Sequence, residues 1–175
     1  MNDTNKQVME NIQSYLTFEM GNEHFAVNVS KVIEILEVPS ITKIPRSPSY
    51  LLGVINLRGK VLPVIDTRIK FGMTPTEISI DTCIIVMTIE VDEEEITLGA
   101  LVDSVDEVLE ISQQEISASP SIGSQYDPKF ILGVVKKDDH FFMILNIGKV
   151  FSIEEVEDLE QKKIEVKKES KTDNK

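Results

Sequence analysis

The sequence predicts an all-β fold of two related halves, with short helices between strands and a longer helix near the C-terminus. Three observations carry this. The first is composition: Val and Ile number 18 and 22 among 175 residues, whereas Ala numbers 3. β-Branched side chains fit a pleated surface and alanine is the strongest helix former, so the bias favours strands. The second is a hairpin signature, Gly53-Val-Ile-Asn-Leu-Arg58-Gly59-Lys-Val-Leu-Pro-Val-Ile-Asp66, in which two β-forming runs flank a short Gly-containing tip. The third is an internal repeat. Val29 to Glu37 aligns with Val102 to Glu110 at an offset of 73, and Leu52-Gly53-Val54 with Leu132-Gly133-Val134 at an offset of 80. The larger offset also sets Val64-Ile65-Asp66 on Ile144-Leu145-Asn146 and Phe71 on Phe151. Two such units with short strands are better served by two small barrels than by one large sheet.

Taken in order, residues 1–13 are polar and read as a flexible N-terminus. A first strand follows from Ser14 to Met20, the turn pair Gly21-Asn22, and an alternating strand from Phe25 to Val29. Ser30 to Val32 suits one helical turn. Ile33 to Val38 reads as strand, although Val29, Val32, Ile33 and Leu36 also fit a helical stripe. Pro39, Pro45 and Pro48 interrupt regular structure before the hairpin. Pro63 lacks an amide donor and predicts an edge strand or a bulge there. Asp66 suits the cap of a short helix from Thr67 to Phe71, and 73–81 reads as a linker. The first unit is expected at about 24–78 and the second at about 79–151, with the N-terminal strand open to sharing. A longer loop at 117–127 accounts for the growing offset. Ser152 and Glu155 form a capping-box pattern for a helix to about Gln161. Residues 162–175 hold six lysines and three acidic groups and read as a disordered tail, which leaves −15 on the rest of a chain whose net charge is −12.

The negative charge opposes nucleic-acid and anionic-lipid partners. One cysteine permits no internal disulfide, no apolar run approaches the roughly 20 residues of a membrane span, and the start lacks a signal-like apolar core, so a cytoplasmic location is expected. His24 and His140 have no Cys or second His at ligand spacing and read as solvent-facing residues at strand ends, with no metal or cofactor expected. Cys83, in Cys-Ile-Ile-Val-Met, reads as an inert core thiol. The acidic run from Glu90 to Glu95 lacks calcium-loop spacing and reads as a hairpin loop. No nucleophile–base arrangement or phosphate loop is evident, so an enzyme is not expected. Arg58 stands at a turn among Leu52, Val54, Ile55, Leu57, Val61 and Leu62, more apolar residues than one hairpin buries inward. That company marks a candidate interface hot spot.

These motifs together resemble the CheW family of chemotaxis coupling proteins, over about Ser14 to Phe151. The resemblance is carried by Phe25-Ala-Val-Asn-Val29, Lys31-Val-Ile-Glu-Ile35, Leu52 to Gly59, Pro63-Val-Ile-Asp-Thr-Arg68, Gly99 to Asp103 and Val105 to Val108. It implies a CheW-like domain at 14–161 made of two five-stranded SH3-like barrels. It also implies a non-enzymatic adaptor that joins a chemoreceptor's cytoplasmic tip to the regulatory domain of the histidine kinase CheA. By motif, Val32, Glu34, Gly53, Val54 and Arg58 would line the receptor groove, and Ile41, Thr42, Arg58, Gly59 and Val61 would face the kinase. Coupling in a pilus or gliding system is the alternative within the family. A nucleic-acid-binding small barrel is the alternative outside it, opposed by the charge and by the absence of tryptophan.

Overall fold

The computed structural model describes residues 11–118 and 127–172. Its strands are β1 (Ile12–Met20), β2 (Glu23–Asn28), β3 (Val32–Glu37), β4 (Leu51–Leu57), β5 (Lys60–Asp66), β6 (Cys83–Val91), β7 (Glu94–Val102), β8 (Ser104–Ser112), β9 (Ile131–Lys137) and β10 (His140–Leu145). The helices are α1 (Thr67–Lys70), α2 (Ile147–Val150) and α3 (Ile153–Thr172). The all-β prediction holds, and the ambiguous segment after the 3-10 turn Val29–Lys31 is strand. Asp66 caps α1 by accepting the Arg68 N–H, as its position before the helix predicts.

The strands form two five-stranded sheets, ordered β3-β6-β7-β5-β4 and β8-β1-β2-β10-β9. This corrects the expected boundaries at 24–78 and 79–151. The first sheet takes residues 32–102, whereas the second combines 12–28 with 104–145. Each half of the repeat lends its opening hairpin to the other sheet. Parallel pairing makes the exchange possible, because β5 meets β7 at Val64↔Gly99 and β10 meets β2 at Ile144↔Ala26. These two pairs are images of each other under the repeat: Val64 maps to Ile144 at offset 80, and Ala26 to Gly99 at offset 73.

β5 lies inside its sheet, so the edge position expected from Pro63 is also corrected. Counting from the turn-closing pair Leu57↔Lys60, Val54↔Pro63 falls on a pair of strands' positions that exchange no hydrogen bonds. The parallel ladder to β7 begins only at Val64. The missing proline N–H therefore costs neither ladder a bond.

Both faces of the sheets are covered, which is why β6 reads Ile84-Ile85-Val86-Met87 without alternation. Ile55, Leu62, Val64, Ile84, Val86 and Leu101 cluster on one face of the first sheet, and Tyr15, Ala26, Ile111, Val135, Phe142 and Ile144 on one face of the second. The opposite faces meet in a larger shared core containing Phe18, Phe25, Ile65, Met87, Leu98 and Phe151. Half of the apolar company of Arg58 is consumed here, since Val54, Ile55 and Leu62 are buried, while Leu52, Leu57 and Val61 are half-buried against the cores.

α3 begins with the expected capping box, in which Ser152 Oγ accepts the Glu155 N–H at 3.1 Å and Glu155 Oε1 accepts the Ser152 N–H at 3.0 Å. It runs to Thr172, however, so residues 162–172 are helix rather than a disordered tail. Val156, Leu159 and Val166 lie at helical spacing and pack on the shared core, so tertiary docking supplies what local composition does not. At the other end β1 includes Ile12 and Gln13, which the sequence assigns to the flexible N-terminus. Residues 1–10 and most of the 117–127 loop lie outside the described residues.

Candidate partner-binding surface

The tip of the β4–β5 hairpin is a two-residue turn closed by Leu57↔Lys60, with positive φ at both Arg58 (52°) and Gly59 (83°). Positive φ at both central positions is the type I′ geometry that matches strand twist. Asn56 Oδ1 accepts the Gly59 N–H at 2.9 Å and braces it. From this turn Arg58 reaches Glu34 on β3 through two hydrogen bonds, Nη1 to Oε1 at 3.0 Å and Nη2 to Oε2 at 2.9 Å. β3 and β4 are opposite edges of one sheet, so the pair bridges the seam. The Arg58 side chain stays 76% exposed while Glu34 is 21% exposed. An ion pair this open adds only about 0.2–1 kcal/mol to stability. Its fork geometry positions the guanidinium, most of which remains available to a partner.

Beside it, Thr42 and Val54 exchange backbone hydrogen bonds, Thr42 N–H to Val54 O at 2.9 Å and Val54 N–H to Thr42 O at 2.8 Å. Gly53 makes this possible: its φ is 151°, and a Cβ there would lie 2.1 Å from Thr42 O. Gly53 and Val54 are buried, so they support the surface from beneath and do not line an open groove. Val32 and Val61 are half-buried against the shared core, and Ile41 against the first sheet's own core. Thr42, Arg58 and Gly59 are exposed. Of the residues named from the sequence, the structure thus brings together Glu34 and Arg58 at one point, with Thr42 on a flank anchored to the same hairpin.

Sequence reasoning missed Ile33 and Ile35, which are 55% and 45% exposed on edge strand β3. Strand alternation alone does not show them, because a bulge interrupts it. β3 bulges between Val32 and Glu34, so Val32 packs on the shared core whereas Leu36 packs on the sheet's own core, and Ile33 and Ile35, flanking Glu34 on this edge strand, stay exposed. Aliphatic side chains on a free edge next to a fixed cation are apt recognition elements.

Two polar clusters hold the frame. Asp103, between β7 and β8, accepts Arg68 Nε at 2.8 Å, Arg68 Nη2 at 2.5 Å and the Gly21 N–H at 2.7 Å. It thereby ties α1 of one half of the chain to the β1–β2 turn. Lys70 donates to Glu155 at 2.5 Å and sits 4.9 Å from the Tyr50 ring centroid and 5.3 Å from that of Phe151. Burial pushes the Glu155 carboxyl up, but hydrogen bonds from Lys70 and from the Ser152 N–H outweigh it and leave Glu155 below the ordinary carboxylate range. Burial and the neighbouring Glu155 push the Tyr50 phenol up. Together these contacts clasp α3 to the body.

Cys83 is a free thiol, half-buried at the start of β6, and burial pushes it up, away from the reactive thiolate form. The acidic run at Glu90 to Glu95 forms the tip of the β6–β7 hairpin: Asp92 and Glu93, both with positive φ, are the turn, and Glu90 pairs with Glu95 across the strand ends. His24 and His140 do not fit the solvent-facing reading equally. Their rings meet edge to face at 4.9 Å, and His24 is half-buried, its side chain 23% exposed, whereas His140 is exposed.

Two interlocked β-sheets presenting a turn-borne arginine and an apolar strand edge define a β-barrel interaction module. A family model, the CheW-like domain, matches residues 14–155. The chain is 32% identical over 157 residues to the chemotaxis protein CheW of Rhizobium meliloti, covering 90% of this chain and 99% of that protein. It is 30% identical to the chemotaxis protein CheW of Bacillus subtilis, covering 81% and 88% respectively. Among solved structures it is similar to the scaffolding protein TtCheW from Thermoanaerobacter tengcongensis, with a TM-score of 0.71 at 33% identity, covering 81% of this chain and 88% of that one. The chain therefore belongs to the CheW family, the non-enzymatic scaffold proteins of chemotaxis. Among the described residues, no helix is long and apolar enough to cross a membrane.

Proposed function

We propose that this chain works in the cytoplasm as the adaptor that couples chemoreceptors to the histidine kinase CheA, and that it acts by binding alone. The observation that carries this reading is the Arg58–Glu34 pair. An arginine 76% exposed, held by a bidentate contact on a rigid type I′ turn, contributes little to the fold and is oriented for recognition. Ile33 and Ile35 place apolar area beside it, as recognition of a helical receptor tip by an apolar surface with a charged rim requires. Val32 and Glu34 would form the receptor-facing side with Arg58, supported from below by Gly53 and Val54. Thr42 and Gly59, with the half-buried Ile41 and Val61, would form the kinase-facing flank. Because Arg58 stands where the two meet, one side chain serves both contacts. The body's net negative charge agrees with protein partners and opposes nucleic acid.

Co-purification tests the proposal. The chain, mixed with the regulatory domain of CheA and a chemoreceptor-tip fragment, is expected to retain each separately and both together. Failure to retain either partner would defeat it.

A further inference from the structure

We propose that Glu19, His24 and Asp106 form a binding site for a zinc-like divalent cation at one end of the second sheet. The ligands come from three adjacent strands. Glu19 and His24 are direct cross-strand partners on β1 and β2. Glu19 also pairs with Ser104 on β8, and Asp106 lies two residues beyond Ser104, on the same face. That face carries Tyr15, Ala26 and Phe142 in the sheet's own apolar core. The three polar residues occupy its end, where the sheet is rigid and solvent begins.

The observation that points to a ligand is His24 Nδ1. It is buried and has no hydrogen-bond partner. An unpaired buried polar atom costs about 1–3 kcal/mol. The ring is also held in place, packed against His140 at 4.9 Å and Phe142 at 5.4 Å between centroids. Nδ1 then stands 3.5 Å from Glu19 Oε1 and 3.8 Å from Asp106 Oδ2. Those separations are too long for an N–H···O bond, whose span is about 2.7–3.2 Å. The 3.5 Å separation suits two ligands sharing a metal, because zinc bonds of about 2.0–2.2 Å in a tetrahedron set neighbouring ligands roughly 3.3–3.6 Å apart. The 3.8 Å separation is slightly too long, and the 35% exposed Asp106 side chain has to move in by a few tenths of an ångström to join them. All three donor atoms lie within 4.8 Å of one another.

The donor set selects the cation class. An imidazole nitrogen with two carboxylates suits zinc or a similar transition ion. Calcium and magnesium favour all-oxygen shells of six or more ligands. Three protein ligands leave a fourth position for water or for a donor from another molecule. The chain's net charge of −12 adds a favourable field for any cation. The site lies on the second sheet, whereas Arg58 is on the first, so the two proposals stand or fall separately.

The full chain, first stripped with chelator, is titrated with zinc chloride by calorimetry and with cobalt(II) by visible absorption. One saturable equivalent is expected, with the intense absorption bands of four-coordinate cobalt and a raised thermal midpoint. His24→Gln and Asp106→Asn should each weaken zinc binding by at least about tenfold, while His140→Gln retains it. Asp106 is 35% exposed, so its amide variant is expected to keep the native circular dichroism; Glu19→Gln serves as the second carboxylate variant should Asp106→Asn unfold. The absence of saturable binding to the wild-type chain overturns the proposal. So does binding that persists undiminished in both His24→Gln and a folded carboxylate variant.

Discussion

Replacing Gly53 by alanine tests the geometry that supports the partner-facing flank. A Cβ at this position would fall 2.1 Å from Thr42 O, 2.8 Å from Thr42 C and 3.0 Å from Ile41 Cγ2. The first two atoms are backbone, so no rotamer change relieves the clash. The φ of 151° adds strain for any L side chain, on the order of 1–3 kcal/mol. Moving the 41–42 segment away forfeits the two Thr42–Val54 hydrogen bonds, each worth about 1 kcal/mol. The expected total is roughly 3–5 kcal/mol. Two sister substitutions calibrate it. At Gly133, the repeat's counterpart, a Cβ meets Ile116 Cγ2 at 2.4 Å and Ser117 O at 2.7 Å without a positive φ, so the cost should be smaller. At Gly59 nothing lies within 4 Å, and only the φ of 83° opposes a side chain, for about 1 kcal/mol. Urea denaturation gives the three values, and amide exchange at Thr42 and Val54 reports whether the bridge has opened. A Gly53→Ala cost at or below that of Gly59→Ala would refute the reasoning.

Asp103→Asn removes the anion that receives both Arg68 bonds and the Gly21 N–H, and should destabilise the chain by about 2 kcal/mol; a loss below about 0.5 kcal/mol, the usual surface value, would count against a bracing role. For Glu155, the folded carboxyl lies below its ordinary value of 4.5, so its contribution is present above that pH and is lost as pH falls through the folded value. Amide protection in α3 should therefore decline in acid before that of the sheets. Glu155→Gln should already weaken α3 docking at neutral pH, by roughly 1–2 kcal/mol, and abolish this acid step. An acid step of unchanged size in the variant would assign it to another group.

The repeat was legible because strand order within a unit leaves a direct trace in the chain. The offsets 73 and 80 each follow a stretch of it, and they meet in the paired sets Val64↔Gly99 and Ile144↔Ala26. The exchange of hairpins was not legible. A strand pattern records which face is apolar, not which half supplies the neighbour. Pro63 misled for the same reason, since its tolerance depends on where the β7 ladder begins. The lysine-rich end of α3 looked disordered because its order comes from docking Val156, Leu159 and Val166 on a core assembled from distant residues. At the surface, the Arg58 turn was readable from Leu57-Arg58-Gly59. The exposure of Ile33 and Ile35 depends on β3 being an edge strand with a bulge between Val32 and Glu34, which residue spacing does not record. The buried Nδ1 of His24 depends on three strands meeting and left no trace in residue spacing.

The central claim is that Arg58 is placed for binding and not for stability, and Arg58→Glu measures both in one molecule. Loss of an exposed ion pair predicts a change in unfolding free energy of about 1 kcal/mol or less. Loss of a recognition hot spot predicts at least about 2 kcal/mol, close to a thirtyfold weaker dissociation constant, toward the receptor tip, the kinase regulatory domain or both. The swapped double variant, Glu34→Arg with Arg58→Glu, should restore the pair without restoring affinity. A stably folded Arg58→Glu chain that binds both partners as tightly as wild type would contradict the account.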